Sequence, residues 1–250
     1  MIRLCELYNN SSKYELECIS KGFKFIAGID EAGRGPIAGP VVTASCILPE
    51  DFRVKGITDS KKLSEKKRQY LFDLIRENSI SFSIEFISPA SIENKNILNA
   101  VRNSVFNLHE NMGIKPDIFL IDSFKVPEGF TACESISFNK ADLLSVSVAA
   151  ASILAKVARD MYMKEIAKEF PEYGFEKHKG YGTKAHYEAL DKYGVCEIHR
   201  QLFLRSWILN KNSLQEEKMR NRFLSFRENT SSYYNSVSVD KVLPGLILCK

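Results

Sequence analysis

The sequence lacks the cysteine pattern on which soft-metal sites and redox motifs are built. Its six cysteines are scattered over 250 residues, and no two of them are spaced as Cys-x-x-Cys. Zinc ribbons and thioredoxin-like motifs both need such pairs, so these two classes are disfavoured. We expect reduced thiols, with Cys46 in the core, and no metal bound by thiolates.

Long apolar runs are missing as well. No segment approaches the ~18 consecutive apolar residues that a membrane-spanning helix needs. The N-terminal segment is polar and mixed in charge, without the apolar centre of a signal peptide. The composition, 44% hydrophobic and 26% charged, is ordinary for a soluble globular protein. We therefore expect a cytoplasmic monomer without membrane contact.

The net charge of +4 is small, but the positive charge is unevenly distributed. Seven Lys or Arg accompany four Asp or Glu in residues 211–250, and seven accompany two in residues 53–68. Basic patches attract polyanions even on a nearly neutral chain. These patches fit a nucleic-acid partner, and each taken alone fits a solvated helix face equally well.

Apolar patterning predicts alternating strands and helices along most of the chain. The strand-like segments are residues 24–29, 41–49, 81–88, 116–122 and 133–138. The helical segments are residues 64–78, 91–111, 144–170 and 183–194, with Ser64 and Thr183 as N-caps. This order predicts the α/β class, with one mixed β-sheet flanked by helices.

Composition divides the chain into three parts. Residues 1–22 form a polar N-terminal segment, and residues 23–210 hold the patterned α/β domain. Residues 211–250 turn polar and basic, and we expect this C-terminal extension to be partly helical.

The most unusual stretch is GIDEAGRGPIAGP, residues 28–40. Its glycines at 33, 35 and 39 are spaced one residue too widely for a dinucleotide-binding loop, and Pro36 interrupts them. A strand-like segment follows, whereas a dinucleotide site needs a helix N-terminus there. We reject a dinucleotide site.

Two acids, Asp30 and Glu31, precede these glycines. Adjacent acids are most often a solvated turn, but these lie where an apolar strand ends, and Asp122 ends a second apolar strand. Asp142 opens the predicted long helix. Side chains alternate along a strand, so Asp30 and Glu31 can share a site only if the strand ends or bends there.

Clustered carboxylates repel one another unless a cation lies between them. Hard oxygen ligands without cysteine or histidine favour Mg²⁺ or Mn²⁺. Two such ions can clamp the attacking and leaving oxygens of an in-line phosphoryl displacement. The acids therefore predict metal-dependent hydrolysis of a phosphodiester.

Five segments in one order, spread between Gly28 and about Trp207, resemble bacterial ribonuclease HII. They are GIDEAGRGPIAGPVVTASCIL, ITDSKKLSEKKR, LID, AAASILAKVARD and YGFEKHKGYGTKAHYEAL. The resemblance implies a ribonuclease H-like fold and an endonuclease that cuts RNA hybridised to DNA or embedded in it. It also implies a cut on the 5′ side of a single ribonucleotide, leaving a 3′-hydroxyl and a 5′-phosphate, as in removal of RNA primers and misplaced ribonucleotides.

The resemblance implies residue roles too. The catalytic metal ligands would be Asp30, Glu31, Asp122 and Asp142, which together would hold two ions, Mn²⁺ or Mg²⁺. The Gly-Arg-Gly loop, formed by Gly33, Arg34 and Gly35, would recognise the ribose 2′-hydroxyl through close backbone contact. Tyr181 would pack on the sugar that follows the ribonucleotide and would also meet this loop. The residues themselves agree, because the 2′-hydroxyl is the main difference between RNA and DNA at one position.

Further residues are weaker candidates for substrate binding. They are Ser60, Lys61 and Lys62 for phosphates, with His178 and Lys179 beside Tyr181, and Lys156 and Arg159 on the long helix. Several of the candidate residues have an alternative, purely structural interpretation. Arg34 would form a surface salt bridge, Tyr181 would fill a turn, and Lys156 and Arg159 would pair with Asp160 or Glu165. We expect the small residues Ser147, Ala149, Ala150, Ala151 and Ser152 to serve packing and His109 to be structural.

Two positions depart from the family pattern. Ala141 stands in Lys140-Ala141-Asp142 where the family usually has glycine, and Ser123 follows the third acid where many members have glycine. Both flank acids, so the preference between Mg²⁺ and Mn²⁺ stays open.

Two rival interpretations remain. Ribonuclease HIII has the same acids, but its loop normally lacks the Arg34 pattern, and the 27 residues before Gly28 leave no room for its extra N-terminal domain. A non-catalytic hybrid-binding module gains nothing from acids placed near phosphates. The C-terminal extension is in addition a candidate contact for a sliding clamp.

Overall fold

The computed structural model describes residues 12–50, 52, 57, 63–209 and 248–250. Its centre is a five-stranded sheet with the strand order β3-β2-β1-β4-β5. The strands are β1 (Ile26–Ala32), β2 (Val41–Ile47), β3 (Ser81–Ile87), β4 (Ile118–Asp122) and β5 (Glu134–Phe138). Neighbours among β1, β2 and β3 are antiparallel, whereas β1–β4 and β4–β5 are parallel. The predicted mixed sheet and α/β class are confirmed.

Helices pack on both faces of this sheet. They are α1 (Lys13–Ser20), α2 (Glu65–Asn78), α3 (Pro89–Lys95), α4 (Ile97–Asn111), α5 (Ala141–Leu144), α6 (Val146–Glu169), α7 (Phe175–His178), α8 (Lys184–Tyr193) and α9 (Gln201–Leu209). Helix α6 covers one face, where its alanines meet Val42, Ala44 and Cys46. Helix α4 covers the other face, where Val101 and Val105 meet Ile29.

Helix α6 lies unusually close to β1. A Cβ atom added at Gly28 would be 2.1 Å from the backbone carbon of Ser147 and the backbone nitrogen of Val148. The predicted packing role of the small residues 147–151 is confirmed, because only a glycine opposite this part of the helix permits such an approach.

Two predicted helices differ from the observed ones. Residues 91–111 form two helices, α3 and α4, because Asn96 has a φ of 57° and its side chain caps α4 by accepting from the Asn99 amide. The predicted helix 144–170 begins at Val146, because Ser145 is extended and its hydroxyl accepts from the Val148 amide. The expectation that Asp142 opens the long helix was wrong, since Asp142 lies in the separate helix α5.

The predicted helix caps are confirmed. The Ser64 hydroxyl accepts from the Lys67 amide at 3.3 Å, and the Thr183 hydroxyl accepts from the His186 amide at 3.3 Å. Short polar side chains at these positions satisfy amides that have no partner within the helix.

Sequence patterning missed helix α1, which lies in the segment expected only to be polar. Tyr14 stacks on Phe138 with ring centroids 3.8 Å apart, and the buried Glu15 carboxylate accepts from the Ser145 hydroxyl and the Ser147 amide. The last described residues, 248–250, run along β3, where the Ile84 amide donates to the Leu248 carbonyl.

Several predictions fall outside the described residues. Residues 1–11 and 210–247 are among those not described, so the domain boundaries and the partly helical extension stay predictions. Within the described part of the chain, no helix has the length and apolar character to cross a membrane. Every described cysteine is free, and Cys46 is fully buried, as expected.

Candidate active site

Four acids from three elements line one cavity of about 270 Å³. Strand β1 contributes Asp30 and Glu31, strand β4 contributes Asp122, and helix α5 contributes Asp142. The remainder of the lining is Ala32, Gly33, Arg34, Gly35, Ser152, Lys156, Arg159 and Tyr181. The structure therefore brings together residues that are up to 151 positions apart in the sequence.

The end of β4 explains how Asp30 and Glu31 share this cavity. The β1–β4 register stops at the pair Ile29 and Ile121, while β1 continues beside β2 as far as Ala32. Strand β1 therefore does not end at Asp30, contrary to the expectation, but it extends past its neighbour. The side chains of Asp30 and Glu31, which come directly after Ile29, both reach the space beyond the end of β4.

Asp30 is a buried carboxylate with only 7% of its surface exposed. It accepts a hydrogen bond from the Glu31 amide at 2.7 Å and one from the Ser152 hydroxyl. Burial and the negative charge of Glu31 raise the pKa of Asp30 well above its usual value, with a smaller contribution from Asp122. The protein therefore holds these acids together against their repulsion.

The neighbouring acids are held by other groups. Glu31 forms a salt bridge with Arg34 at 3.2 Å between Oε1 and Nη1, and Asp122 accepts from the Ala141 amide at 2.8 Å. Among the described residues, no group of three His, Cys, Asp or Glu side chains is arranged as a metal site. The donor set nevertheless fits a divalent cation, because four hard carboxylates surround one cavity and repulsion between them would be relieved by positive charge.

Both departures from the family pattern are accommodated without loss of the contact that holds Asp122. Ser123 has a φ of 60°, in the left-handed region that glycine adopts most easily. Ala141 has the helical backbone of α5, and its methyl group is fully buried beside Leu120 and Val148. Neither residue breaks the hydrogen bond that joins Asp122 to α5.

The Gly-Arg-Gly loop lies beside these acids. Gly33 has a φ of 96°, and a Cβ atom there would be 2.1 Å from Nε of Arg159. A Cβ atom at Gly35 would meet only the ring of Tyr181, at 3.8 Å. Arg34 forms a salt bridge with Glu31, in agreement with the alternative interpretation of this residue. Tyr181 is 46% exposed, so its ring is available to a ligand in the cavity.

The structure does not bring all the predicted substrate-binding residues into this cavity. His178 contacts the Tyr173 carbonyl at 2.8 Å and accepts from the Gly180 amide at 3.2 Å, and burial lowers its pKa. The Lys179 ammonium donates to the Glu176 carbonyl. Substrate contact by His178 and Lys179 stays a prediction, and Ser60, Lys61 and Lys62 lie outside the described residues.

Three residues of α6 lie in the cavity wall at positions 152, 156 and 159. Ser152, interpreted from the sequence as packing, donates to Asp30. Lys156 pairs with Asp160 at 2.6 Å, as its alternative interpretation held, and Arg159 is buried beneath the glycine loop. Their spacing of four and three places them on one face of a helix, which was the sequence signal for Ser152. His109 packs against Phe119 and Phe130 and is structural, as expected.

Comparison with known proteins identifies the family of this chain. The family model Ribonuclease HII matches residues 27–209. Ribonuclease HII of Bacillus cytotoxicus is 49% identical over 208 residues, which cover 82% of this chain and 79% of that protein.

Two solved structures share the fold. Ribonuclease H2 from Pyrococcus horikoshii has a TM-score of 0.65 at 26% identity, covering 79% of this chain and 99% of that one. RNase HII from Archaeoglobus fulgidus, solved in complex with PCNA, has a TM-score of 0.62 at 28% identity, covering 71% and 94%. The chain therefore belongs to the ribonuclease HII family and is an endoribonuclease of the ribonuclease H type, acting on RNA–DNA hybrids.

Proposed function

We propose that this protein cuts both the RNA strand of RNA–DNA hybrids and duplex DNA that carries a single ribonucleotide. In the second substrate the cut falls on the 5′ side of the ribonucleotide and leaves a 3′-hydroxyl and a 5′-phosphate. The observation that carries this proposal is one cavity lined by four acids, the Gly-Arg-Gly loop and Tyr181. Such an activity serves RNA primer removal and ribonucleotide excision repair.

The four acids are the residues that would hold Mn²⁺ or Mg²⁺, with two ions in the substrate complex. When bound, the ions supply Lewis-acid activation of water and stabilisation of the leaving 3′-oxygen. The chain's own residues orient the carboxylates, because the Ser152 hydroxyl and the Glu31 amide hold Asp30 and the Ala141 amide holds Asp122. Arg34 keeps Glu31 at the cavity wall.

The Gly-Arg-Gly loop would recognise the sugar. At Gly35 the missing Cβ leaves the loop backbone open towards the cavity, since a Cβ there would meet only the Tyr181 ring at 3.8 Å, and this suits close contact with a 2′-hydroxyl. Tyr181 faces this loop across the same cavity and would pack on the next sugar. A deoxyribose at the first position would leave the loop's polar groups without their partner.

Partners beyond the substrate are also proposed. The Archaeoglobus protein was solved with PCNA, and a sliding clamp bound through residues 211–250 is the matching proposal for this chain. Most of that extension lies outside the described residues. The cytoplasmic location and the monomeric state stay predictions from composition.

The deciding experiment is cleavage of a labelled DNA duplex with one ribonucleotide, in Mg²⁺, in Mn²⁺ and in chelator. We expect one metal-dependent cut on the 5′ side of the ribonucleotide. Efficient cutting of long hybrids without this cut would contradict the roles of the glycine loop and Tyr181. A protein that holds hybrid equally well in chelator and never cuts would be a binding module.

A further inference from the structure

We infer that the adjacent residues His199 and Arg200 form the positioning element that fixes the Gly-Arg-Gly loop relative to Tyr181. This inference rests on the proposed function and names the residues that would set its selectivity for ribose. His199 and Arg200 are 4% and 0% exposed and do not line the acidic cavity. They bind backbone carbonyls of the Gly-Arg-Gly loop and, through His186, of Tyr181, which are the two parts of the cavity that would face the sugar.

Arg200 binds two carbonyls of the loop and the carbonyl of Gly39, which follows the loop in the chain. Its Nε donates to the Gly39 carbonyl at 2.8 Å, Nη2 to the Gly33 carbonyl at 2.8 Å, and Nη1 to the Arg34 carbonyl at 3.2 Å. The planar guanidinium presents these donors in a fixed fork, which a flexible lysine ammonium cannot reproduce. One side chain thereby fixes the first two residues of the loop and joins them to Gly39.

The backbone around Arg200 strengthens this attachment. The Arg200 amide donates to the Ile37 carbonyl at 2.8 Å, and the Gly39 amide donates to the Ile198 carbonyl at 2.8 Å. Ala38 and His199 form an isolated antiparallel bridge between these two bonds. Residues 198–200 therefore act as a short strand that lies against residues 37–39.

His199 holds Tyr181 through a second histidine. The shortest contact of its Nδ1 is the Cys196 amide at 2.9 Å, and an amide can only donate. The proton of His199 is therefore on Nε2, which donates to Nε2 of His186 at 3.0 Å. His186 is then protonated on Nδ1, which donates to the Tyr181 carbonyl at 2.9 Å. One set of tautomers satisfies the whole series.

The turn of residues 178–181, which carries Tyr181, is also joined to residues 37 and 38, which follow the loop. The amides of Ile37 and Ala38 both donate to the Gly180 carbonyl, at 2.9 and 3.2 Å. Gly180 has a φ of 82°, and a Cβ there would be 2.4 Å from the Ala38 carbonyl oxygen. The turn and residues 198–200 thus both form hydrogen bonds with residues 37–39, the segment that follows the loop.

These hydrogen bonds matter because a loop rich in glycine has little rigidity of its own. Recognition of a single hydroxyl by backbone groups needs placement within ~0.5 Å, which neighbouring residues must supply. The catalytic acids are held by other contacts, from Ser152, Arg34 and Ala141. Loss of Arg200 should therefore reduce selectivity for ribose before it affects metal binding.

The test compares binding of two duplexes in chelator, identical except that one carries a single ribonucleotide. We expect the wild-type protein to bind the ribonucleotide duplex more tightly. In Arg200→Lys the ratio of the two Kd values should move about tenfold towards one, or ~1.4 kcal/mol, because the lysine ammonium cannot make all three hydrogen bonds of the guanidinium. The Kd for all-DNA duplex should stay unchanged. In cleavage the KM should rise while the Mn²⁺ concentration for half-maximal activity stays the same.

Arg205→Lys is the matched control, because Arg205 is exposed on α9 and the substitution is identical. It should behave as wild type. A folded Arg200→Lys protein that keeps the wild-type Kd ratio overturns the inference alone. A wild-type protein that binds both duplexes equally overturns the proposed sugar recognition as well.

If Arg200→Lys fails to fold, a second pair of variants tests the contacts that run from His199 through His186 to Tyr181. His186→Leu removes the donor to Tyr181, whereas His186→Asn offers a side-chain amide near the position of Nδ1. We expect the Kd ratio to fall in the leucine variant and to recover in the asparagine variant. Equal ratios in the two folded variants would overturn the inference.

Discussion

Asp30 illustrates how single residues at this site are placed against their own electrostatic preference. A buried carboxylate beside two other acids is unfavourable, and burial together with Glu31 raises its pKa. The Ser152 hydroxyl and the Glu31 amide offset only part of this cost. A residue kept in such surroundings serves function at the expense of stability.

Asp30→Asn should abolish cleavage and leave binding of hybrid almost unchanged. Asparagine keeps an oxygen that can accept from the Glu31 amide, but it removes the negative charge that would hold metal. The variant should unfold at a temperature no lower than wild type, because a desolvated charge is removed. Cleavage assays in Mn²⁺, hybrid binding and thermal denaturation check this. Near-normal turnover would sink the metal assignment.

Tyr181→Ala should weaken cleavage of a duplex that carries a single ribonucleotide. Stacking of an aromatic ring on a nucleic-acid base contributes ~1–3 kcal/mol, and a contribution of the same size at the sugar would make kcat/KM fall by about 5- to 150-fold. Tyr193→Ala is the matched control, since Tyr193 is similarly exposed on α8 but does not line the cavity. Unchanged rates in the Tyr181 variant would remove this ring from the site.

At the scale of elements, the distance between α6 and β1 determines the geometry of the site. Helix α6 carries Ser152, Lys156 and Arg159 into the cavity wall, and β1 carries Asp30. The helix can reach Asp30 because small residues face the sheet and Gly28 has no side chain. Close packing therefore has a functional consequence here, since it places the Ser152 hydroxyl against the carboxylate.

Gly28→Ala should destabilise the fold by at least about 3 kcal/mol, the upper part of the range for overpacking. The added Cβ would meet backbone atoms of α6 at 2.1 Å, and backbone cannot rotate away. Chemical denaturation measures the effect. Gly35→Ala is the control, because its Cβ would make only an ordinary contact at 3.8 Å, and its stability should change by less than about 1 kcal/mol. Equal stability of the two variants would contradict the packing argument.

At the scale of the whole molecule, a buried histidine cluster joins the C-terminal part of the domain to the site. His186 lies between His178, which stacks on it at 4.4 Å, and His199, with Phe175 at its edge. Desolvation lowers the pKa of His186 to about 4, and the charge of His178 acts in the same direction. The folded protein therefore keeps this ring neutral where the unfolded chain would protonate it.

This difference predicts a pH dependence of stability. Above pH 6.5 His186 is neutral in both the folded and the unfolded protein, so its ionisation does not change the free energy of unfolding there. Between pH 6.5 and about 4 only the unfolded state gains the proton, so stability falls, by on the order of 3 kcal/mol over the whole window. The stability of wild type relative to His186→Leu should therefore decrease through this window. Urea denaturation at pH 7.5 and pH 4.5 measures it, and a constant difference would contradict the prediction.

The sequence by itself determined the family, the α/β class and the candidate residues of the site. Five motifs in one order are a local property, and so are the caps at Ser64 and Thr183, where a hydroxyl bonds an amide three residues away. The position of Asp122 at the end of a strand was likewise visible in the apolar patterning, whereas Asp30 was expected at a strand end and lies within β1, just beyond its last pair with β4. Their convergence could be anticipated because strand ends in one sheet lie close together.

Only the tertiary structure decided how these parts are held. The Ser152 contact to Asp30 and the loop carbonyls bound by Arg200 depend on segments distant in sequence. Arg200 carries no sequence signal of its role, because its partners are backbone carbonyls 161 to 167 residues away, and any residue type can supply those. Patterning reports which face of an element is apolar, whereas hydrogen bonds between elements require their relative placement, which exists only in the folded chain.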